Sequence, residues 1–259
     1  MPDWTRTLPA APLFFALLGL CFGSFLNVVI YRLPRGESLW RPGSHCPSCG
    51  AAIQPWQNVP VGSYVALRGR CGACRAPIPL RYPVVELLGG VAILAAAALS
   101  PDPGAAVVRS VFLLAMLAIA WIDYDHRIIP DVITLPGIVA GIAVAPLLGV
   151  GRLQALFGAA LGAGILLALA LAYRALRKVE GMGMGDVKMA AMVGAFLGPG
   201  GVLLTLFFGS MLGSAVGIAL LSLKRIQKRE QLPFGTFLAA AAAVAALVGP
   251  RIWAWYRNL

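Results

Sequence analysis

The chain has 259 residues, 59% of them hydrophobic and only 12% charged, with a mean hydropathy of +0.83. A water-soluble domain of this length needs far more charge on its surface, so the composition excludes an ordinary soluble globule and points to lipid as the main solvent. The net charge of +11 does not imply nucleic acid, because the Lys and Arg residues cluster between apolar runs with no continuous basic face or aromatic platform.

Apolar runs near membrane-spanning length recur along the chain. The first, Pro12–Tyr31, lacks a substantial basic n-region and a small-x-small cleavage site, so it reads as a retained transmembrane helix and not a signal peptide. A polar, Cys- and Pro-rich stretch, Arg32–Tyr82, is the only piece suited to a water-soluble subdomain. Seven more apolar segments follow: Pro83–Leu99, Ala105–Ile122, Val132–Leu148, Leu153–Tyr173, Val187–Leu197, Val202–Leu223 and Phe234–Tyr256. The sixth segment overall, Val187–Leu197, is short and Gly-flanked, the weakest of the set as a full span. Backbone polar groups cannot be left unpaired in hydrocarbon, so the segments should be helices. The expected fold is an all-α polytopic membrane protein with about eight transmembrane helices. It divides into a first helix (1–31), a small subdomain (32–82) and a seven-helix membrane domain (83–259).

Eight spans put both termini on one side, and the distribution of basic residues orients them. The loops after spans one, three, five and seven hold Arg32, Arg35, Arg41, Arg68, Arg70, Arg75, Arg81, Arg127, Arg174, Arg177, Lys178, Lys224, Arg225, Lys228 and Arg229. The opposite side has Arg6, Arg109, Arg152, Arg251 and Arg257, with Lys188 at the start of span six. The positive-inside bias places the Cys-rich subdomain in the cytoplasm and both termini outside.

Within that subdomain, Cys46-Pro-Ser-Cys49 and Cys71-Gly-Ala-Cys74 form two CxxC pairs. Their spacing is a strong signal for a tetrahedral four-sulfur site of the structural zinc type. Gly50 and Gly72 allow turns close to a metal. A reducing compartment disfavours two disulfides, and a redox dithiol pair is the alternative. The stretch has little apolar core, so a metal would supply much of its fold. His45 reads as a neighbour of the cluster, and Cys21 as a small packing residue inside the first span.

Only ten acidic residues are present. Asp123, Asp125 and Asp131 lie where span three ends, and Asp186 lies where span six begins, in Gly181-Met-Gly-Met-Gly-Asp-Val-Lys188. Both places fall at the cytoplasmic boundary. Carboxylates there are costly unless they face an interior or a wet cavity, which makes them functional candidates. Two carboxylates that share a site do not ionise together, so one can hold a proton while the other is charged. An aspartic protease uses that pairing: the ionised member takes a proton from water and the protonated member polarises the scissile carbonyl. The glycines before Asp186 would let backbone approach an extended substrate and would permit a break between loop and helix. Loop solvation or helix capping is the simpler reading of Asp125 and Asp131.

Five segments in order resemble the type IV prepilin peptidase family, also called leader peptidase and N-methyltransferase. They are Gly23-Ser-Phe-Leu-Asn-Val-Val-Ile-Tyr-Arg-Leu-Pro34, the paired CxxC, Arg81-Tyr-Pro-Val-Val-Glu-Leu87, the Asp-rich stretch before Ile129-Pro130-Asp131, and the GxGD of Gly183–Asp186. The resemblance implies Asp186 as one catalytic aspartate and Asp123 as the other, with Asp125 the runner-up and Gly183, Gly185 and Lys188 supporting the peptidase site. It implies a bacterial inner-membrane enzyme that cuts a short basic leader after Gly from prepilins or pseudopilins, ahead of an apolar segment. S-adenosylmethionine is the implied methyl donor. The sequence carries no soluble methyltransferase nucleotide fingerprint. Glu86, at the cytoplasmic mouth of span two, is a candidate for a methyl-donor pocket, and an interfacial ion pair with Arg81 is the alternative. Three rival functions are a membrane thiol oxidoreductase, a transporter using the aspartates as proton relays, and an intramembrane peptidase cutting true transmembrane helices. The expected partners are pilin-type substrates and the lipid bilayer, with no nucleic acid.

Overall fold

The computed structural model describes residues 3–6, 11–178, 182–223 and 232–257, in two compact units, one ending at Ala118 and the other beginning at Ile119. Gly181 of the Gly-rich stretch, and Lys224, Arg225, Lys228 and Arg229 of the expected charge bias, lie outside the described residues. The long helices are α1 (Ala11–Arg32), α2 (Arg81–Leu99), α3 (Pro103–His126), α4 (Asp131–Val144), α5 (Arg152–Arg177), α6 (Met184–Ser222) and α7 (Phe234–Arg257). Among the described residues, seven helices are long and apolar enough to cross a membrane, and no strand occurs. The protein is an all-α, multi-pass membrane protein. Large apolar side chains such as Leu13, Phe14 and Val91 remain exposed, as lipid-facing positions should.

In the first unit, small residues let α1 and α2 touch backbone to backbone, the usual device where lipid removes the hydrophobic drive for helix association. A Cβ added at Gly23 would fall 2.7 Å from the Glu86 Cα, and one at Gly89 would fall 2.8 Å from the Gly23 Cα. The buried Asn27, one turn beyond Gly23, then donates from Nδ2 to the Tyr82 carbonyl at 3.1 Å. Above this crossing the Cys-rich stretch is held by Arg32, only 6% exposed, whose guanidinium donates to the carbonyls of Ser38, Pro42 and Gly43 at 2.9, 2.7 and 3.3 Å. Regular structure in the stretch is limited to short turns, one five-residue helix (Gly62–Ala66) and the isolated bridges His45–Ala52 and Arg70–Pro77.

In the second unit, spans six and seven are the two helical arms of α6, interrupted at the non-helical Gly198, where the chain doubles back on itself. A Cβ at Gly162 of α5 would lie 2.5 Å from the Ala190 carbonyl oxygen and 2.8 Å from Val202 Cγ2, atoms that a straight helix would hold roughly 18 Å apart. The reversal is at Gly198, whose φ of 68° and ψ of −174° suit glycine. Pro199 follows, with the fixed φ that opens a helix. The two arms join at this one residue, so the eight apolar segments expected from the sequence are all helical. The first arm, 184–197, is roughly 20 Å long, short of a ~30 Å hydrocarbon core, in keeping with the weakness of that span in the sequence.

Candidate functional site

Asp123 lies in the last turn of α3 and is 5% exposed. Its Oδ2 accepts the Thr236 amide at 2.7 Å, and the Thr236 hydroxyl is 3.2 Å from the same oxygen. Thr236 is in the first turn of α7, where backbone N–H groups have no helical partner and the helix end favours a negative charge. The hydroxyl is also 3.0 Å from the Ala120 carbonyl. It has one hydrogen. When Asp123 is charged the hydroxyl can donate to it, and when Asp123 is protonated the hydroxyl can turn to Ala120 and accept the acid proton. Thr236 can therefore accompany Asp123 through both protonation states.

Asp186 is partly exposed in the first turn of α6, its amide donating to the Gly183 carbonyl at 3.2 Å. The Asp186 and Asp123 carboxyl groups act on each other electrostatically, so the structure brings together the two aspartates that the sequence pairs. Asp125 is exposed on the same helix.

Gly183 has room for a Cβ, its nearest side-chain neighbour lying at 3.7 Å, whereas Gly185 does not: a Cβ there would meet Ile129 Cβ at 2.9 Å. Gly235 is as tight, with a hypothetical Cβ 2.8 Å from Ile129 Cδ1 and 3.0 Å from Asp123 Cγ and Oδ2. Ile129 is thus wedged between the two helix starts that carry the carboxyl environment. Lys188 gives its ammonium to Asp131 at 2.7 and 2.8 Å, tying the start of α6 to the start of α4 through a partly exposed pair worth at most about 1 kcal/mol. Thr236 and Gly235 escaped the sequence reading, and Ile129 entered it only as part of the Asp-rich segment, with no role at the site. Pro233-Phe234-Gly235-Thr236, a helix start with a hydroxyl and a glycine, was the available signal for the first two.

In the first unit the four thiols of Cys46, Cys49, Cys71 and Cys74 converge, all sulfurs within 4.8 Å of one another. Cys46 Sγ and Cys74 Sγ are 3.9 Å apart. A tetrahedral ion with bonds of about 2.3 Å to sulfur sets sulfurs about 3.8 Å apart, so the donor set fits such an ion. The two knuckles are local repeats: the Cys46 amide donates to the Ala51 carbonyl at 2.9 Å and the Cys71 amide to the Ala76 carbonyl at 2.8 Å. Each turns through a left-handed residue, Gly50 at φ 71° and Arg75 at φ 61°. Gly72 does not make that turn; its bareness lets Gln57 Nε2 approach to 2.6 Å of where a Cβ would be. Backbone amides of Ser48 and Cys49 hold the Cys46 thiol below its ordinary value, and those of Cys74 and Ala73 bring Cys71 down to about 6. The Ala76 amide lowers Cys74, but contact with Cys49, burial, and contact with Cys71 and Cys46 outweigh it and push that thiol up to about 11. Four thiols this close cannot all ionise unaided, and a divalent cation would hold all four as thiolates.

Glu86 is 9% exposed, and its Oε2 accepts the Val61 amide at 2.7 Å. It lines an open cavity of about 450 Å³ between the ends of α1 and α2 and the Cys-rich stretch.

Residues 17–99 match the family described as the bacterial peptidase A24 N-terminal domain, and residues 110–218 match the type IV leader peptidase family. Among curated relatives, a protein of Pseudomonas putida is 38% identical over 98% of this chain and 97% of its own length. One from Burkholderia pseudomallei (strain 1026b) is 38% identical over 91% of this chain and 85% of its own. One from Pseudomonas aeruginosa is 36% identical over 96% of each. All three carry the name prepilin leader peptidase/N-methyltransferase. No solved structure gave a significant match.

Proposed function

The chain belongs to the type IV leader peptidase family, and on that premise we propose that it removes the leader from type IV prepilins or pseudopilins with Asp123 and Asp186 as its catalytic pair. The observation that carries this reading is that the end of α3 and the start of α6 bring the two carboxyl groups within electrostatic reach of each other, with Ile129 packed against both Gly185, beside Asp186, and Gly235, beside the Asp123 carboxyl. The charged carboxylate takes a proton from a water molecule as its oxygen attacks the carbonyl carbon, and the protonated partner donates to the carbonyl oxygen. Collapse of the tetrahedral species breaks the C–N bond, with the proton passing to the leaving amine. Asp123 is buried and Asp125 is exposed on the same helix, which supports Asp123 over Asp125 as the catalytic member.

The same protein then methylates the new N-terminal amine with S-adenosylmethionine as donor. Zinc is the metal suited to the four thiolates, as a structural ion. The enzyme lies in the bacterial inner membrane with the Cys-rich stretch (32–82) in the cytoplasm and both termini outside, between a first helix (1–31) and a membrane domain (83–259). This orientation rests on the basic-residue bias. Cleavage then falls at the cytoplasmic boundary, where a basic leader ending in Gly meets an apolar helix.

The test is incubation of the purified protein with a synthetic prepilin, with and without S-adenosylmethionine, followed by mass spectrometry. Loss of the leader after Gly in both samples, and a methyl group on the new end only with donor, is the expected outcome. An intact substrate in both would overturn the reading.

A further inference from the structure

We propose that the cavity between the Cys-rich stretch and the ends of α1 and α2 is the S-adenosylmethionine site, with Asn27 and Glu86 as its ligand-binding acceptors. The inference rests on the reading that this chain methylates amines. Its first support is an unmet polar atom. Asn27 is 5% exposed, and its Nδ2 faces the carbonyls of Tyr82 and Gly23 at 3.1 and 3.5 Å. Those two acceptors fix which end of the amide is nitrogen. Its Oδ1 has no hydrogen-bond partner, yet the residue lines the cavity. Buried acceptors are rarely left unpaired in a finished site, so this oxygen points to a donor that a ligand brings.

The second support is the balance of charge around the space. Glu86 lines it too, its Oε2 accepting the Val61 amide, and its other polar neighbour is the hydroxyl of Ser24, which also lines the cavity. Arg32, which also lines it, has its guanidinium committed to the carbonyls of Ser38, Pro42 and Gly43. The cavity therefore offers acceptors to a ligand that is cationic and rich in donors, and an anionic nucleotide would meet a carboxylate instead. S-adenosylmethionine is a net cation, with a sulfonium and an ammonium against one carboxylate, and it also has ribose hydroxyls and an adenine amine. Carboxylates accept ribose hydroxyls in nucleotide sites, the role suited to Glu86. Asn27 Oδ1 takes an amine donor. A volume of about 450 Å³ is in the range that holds ligands of nucleoside size, and Tyr64 and Tyr82 give flat walls.

The reaction there is one displacement. The substrate N-terminal ammonium first loses a proton to water. The amine nitrogen then forms a bond to the methyl carbon as the carbon–sulfur bond breaks, its electron pair staying on sulfur. The products are a secondary ammonium and S-adenosylhomocysteine. Glycine packing of α1 on α2 sets the distance between the two acceptors, because Gly23 and Glu86 touch through their backbones.

The experiment is equilibrium binding of radiolabelled S-adenosylmethionine to the purified full-length protein, wild type, Glu86→Gln and Asn27→Leu, with leader cleavage measured on the same samples. Glu86→Gln keeps an acceptor for the Val61 amide, so it is the variant that decides if Asn27→Leu fails to fold. Both should bind roughly tenfold or more weakly, the scale of a lost charge-assisted contact, while cleavage is retained. Wild-type affinity in a cleaving Glu86→Gln protein would overturn the cavity as the site. If the wild type itself neither binds donor nor methylates a pre-cleaved pilin, the methylation reading fails and the site with it.

Discussion

Thr236 meets Asp123 twice, its amide donating at 2.7 Å and its hydroxyl lying 3.2 Å from the same carboxylate oxygen. The amide contact is backbone and survives substitution; the hydroxyl contact does not. Thr236→Val should lower the cleavage kcat about tenfold with little change in KM, since a hydrogen bond to a charged group that orients a catalytic acid is lost. Thr236→Ser should restore most of it. A Thr236→Val enzyme with normal kcat would show that the hydroxyl does nothing for the reaction.

Gly235 tests placement by volume alone. A Cβ there would press on Ile129 Cδ1 at 2.8 Å and on the Asp123 carboxylate at 3.0 Å, so Gly235→Ala should displace the acid and slow cleavage by roughly ten- to a hundredfold. Gly164→Ala, with nothing within 4 Å of its Cβ, is the control and should cleave normally. Equal activity in the two variants would mean that the carboxylate tolerates the shift.

The cysteine cluster calls for about one zinc per chain by elemental analysis of protein purified under reducing conditions. Stripping it with a chelator, or replacing Cys74 by Ser, should loosen the 32–82 stretch while leaving leader cleavage less affected than loss of either aspartate does. Acidification should release the metal, because protons compete for the thiolates. Metal-free protein with an undisturbed subdomain would refute the site.

The paired knuckles make a sharper prediction. Arg75 occupies at φ 61° the turn that Gly50 occupies at 71°, and a side chain in that conformation costs about 1 kcal/mol. Arg75→Gly should stabilise the stretch by about 0.5 kcal/mol after the added freedom of the unfolded chain is counted, and Gly50→Ala should destabilise it. Rates of metal loss to a chelator give the readout; faster loss from Arg75→Gly than from wild type would contradict the equivalence.

The apolar segments, the CxxC pairs and the two aspartates were legible because each is a local pattern or a composition. What escaped depends on contacts distant in the chain. Val202 and Ala190 both flank Gly162 only because α6 reverses at Gly198, and a glycine followed by proline does not say whether a helix bends or folds back. Thr236 lies far along the chain from Asp123 and looks like an ordinary residue at a helix start. Asn27 reads as one polar position in an apolar run until Gly23 packs on α2 and leaves the residue lining a cavity with its amide oxygen unpaired. Lys188 sits next to the GxGD, yet its partner is Asp131, which sequence proximity to Asp186 does not suggest.

The most direct test of the catalytic pair is leader cleavage by purified Asp123→Asn, Asp186→Asn and Asp125→Asn proteins, each checked for membrane insertion and for methylation of a pre-cleaved pilin. Removing a carboxyl that does acid–base work costs on the order of a hundred- to ten-thousandfold. Asp123→Asn and Asp186→Asn should each fall that far while still methylating the pre-cleaved substrate, and Asp125→Asn should cleave nearly normally. Normal cleavage by either of the first two, or a dead Asp125→Asn beside an active Asp123→Asn, would contradict the assignment of the pair.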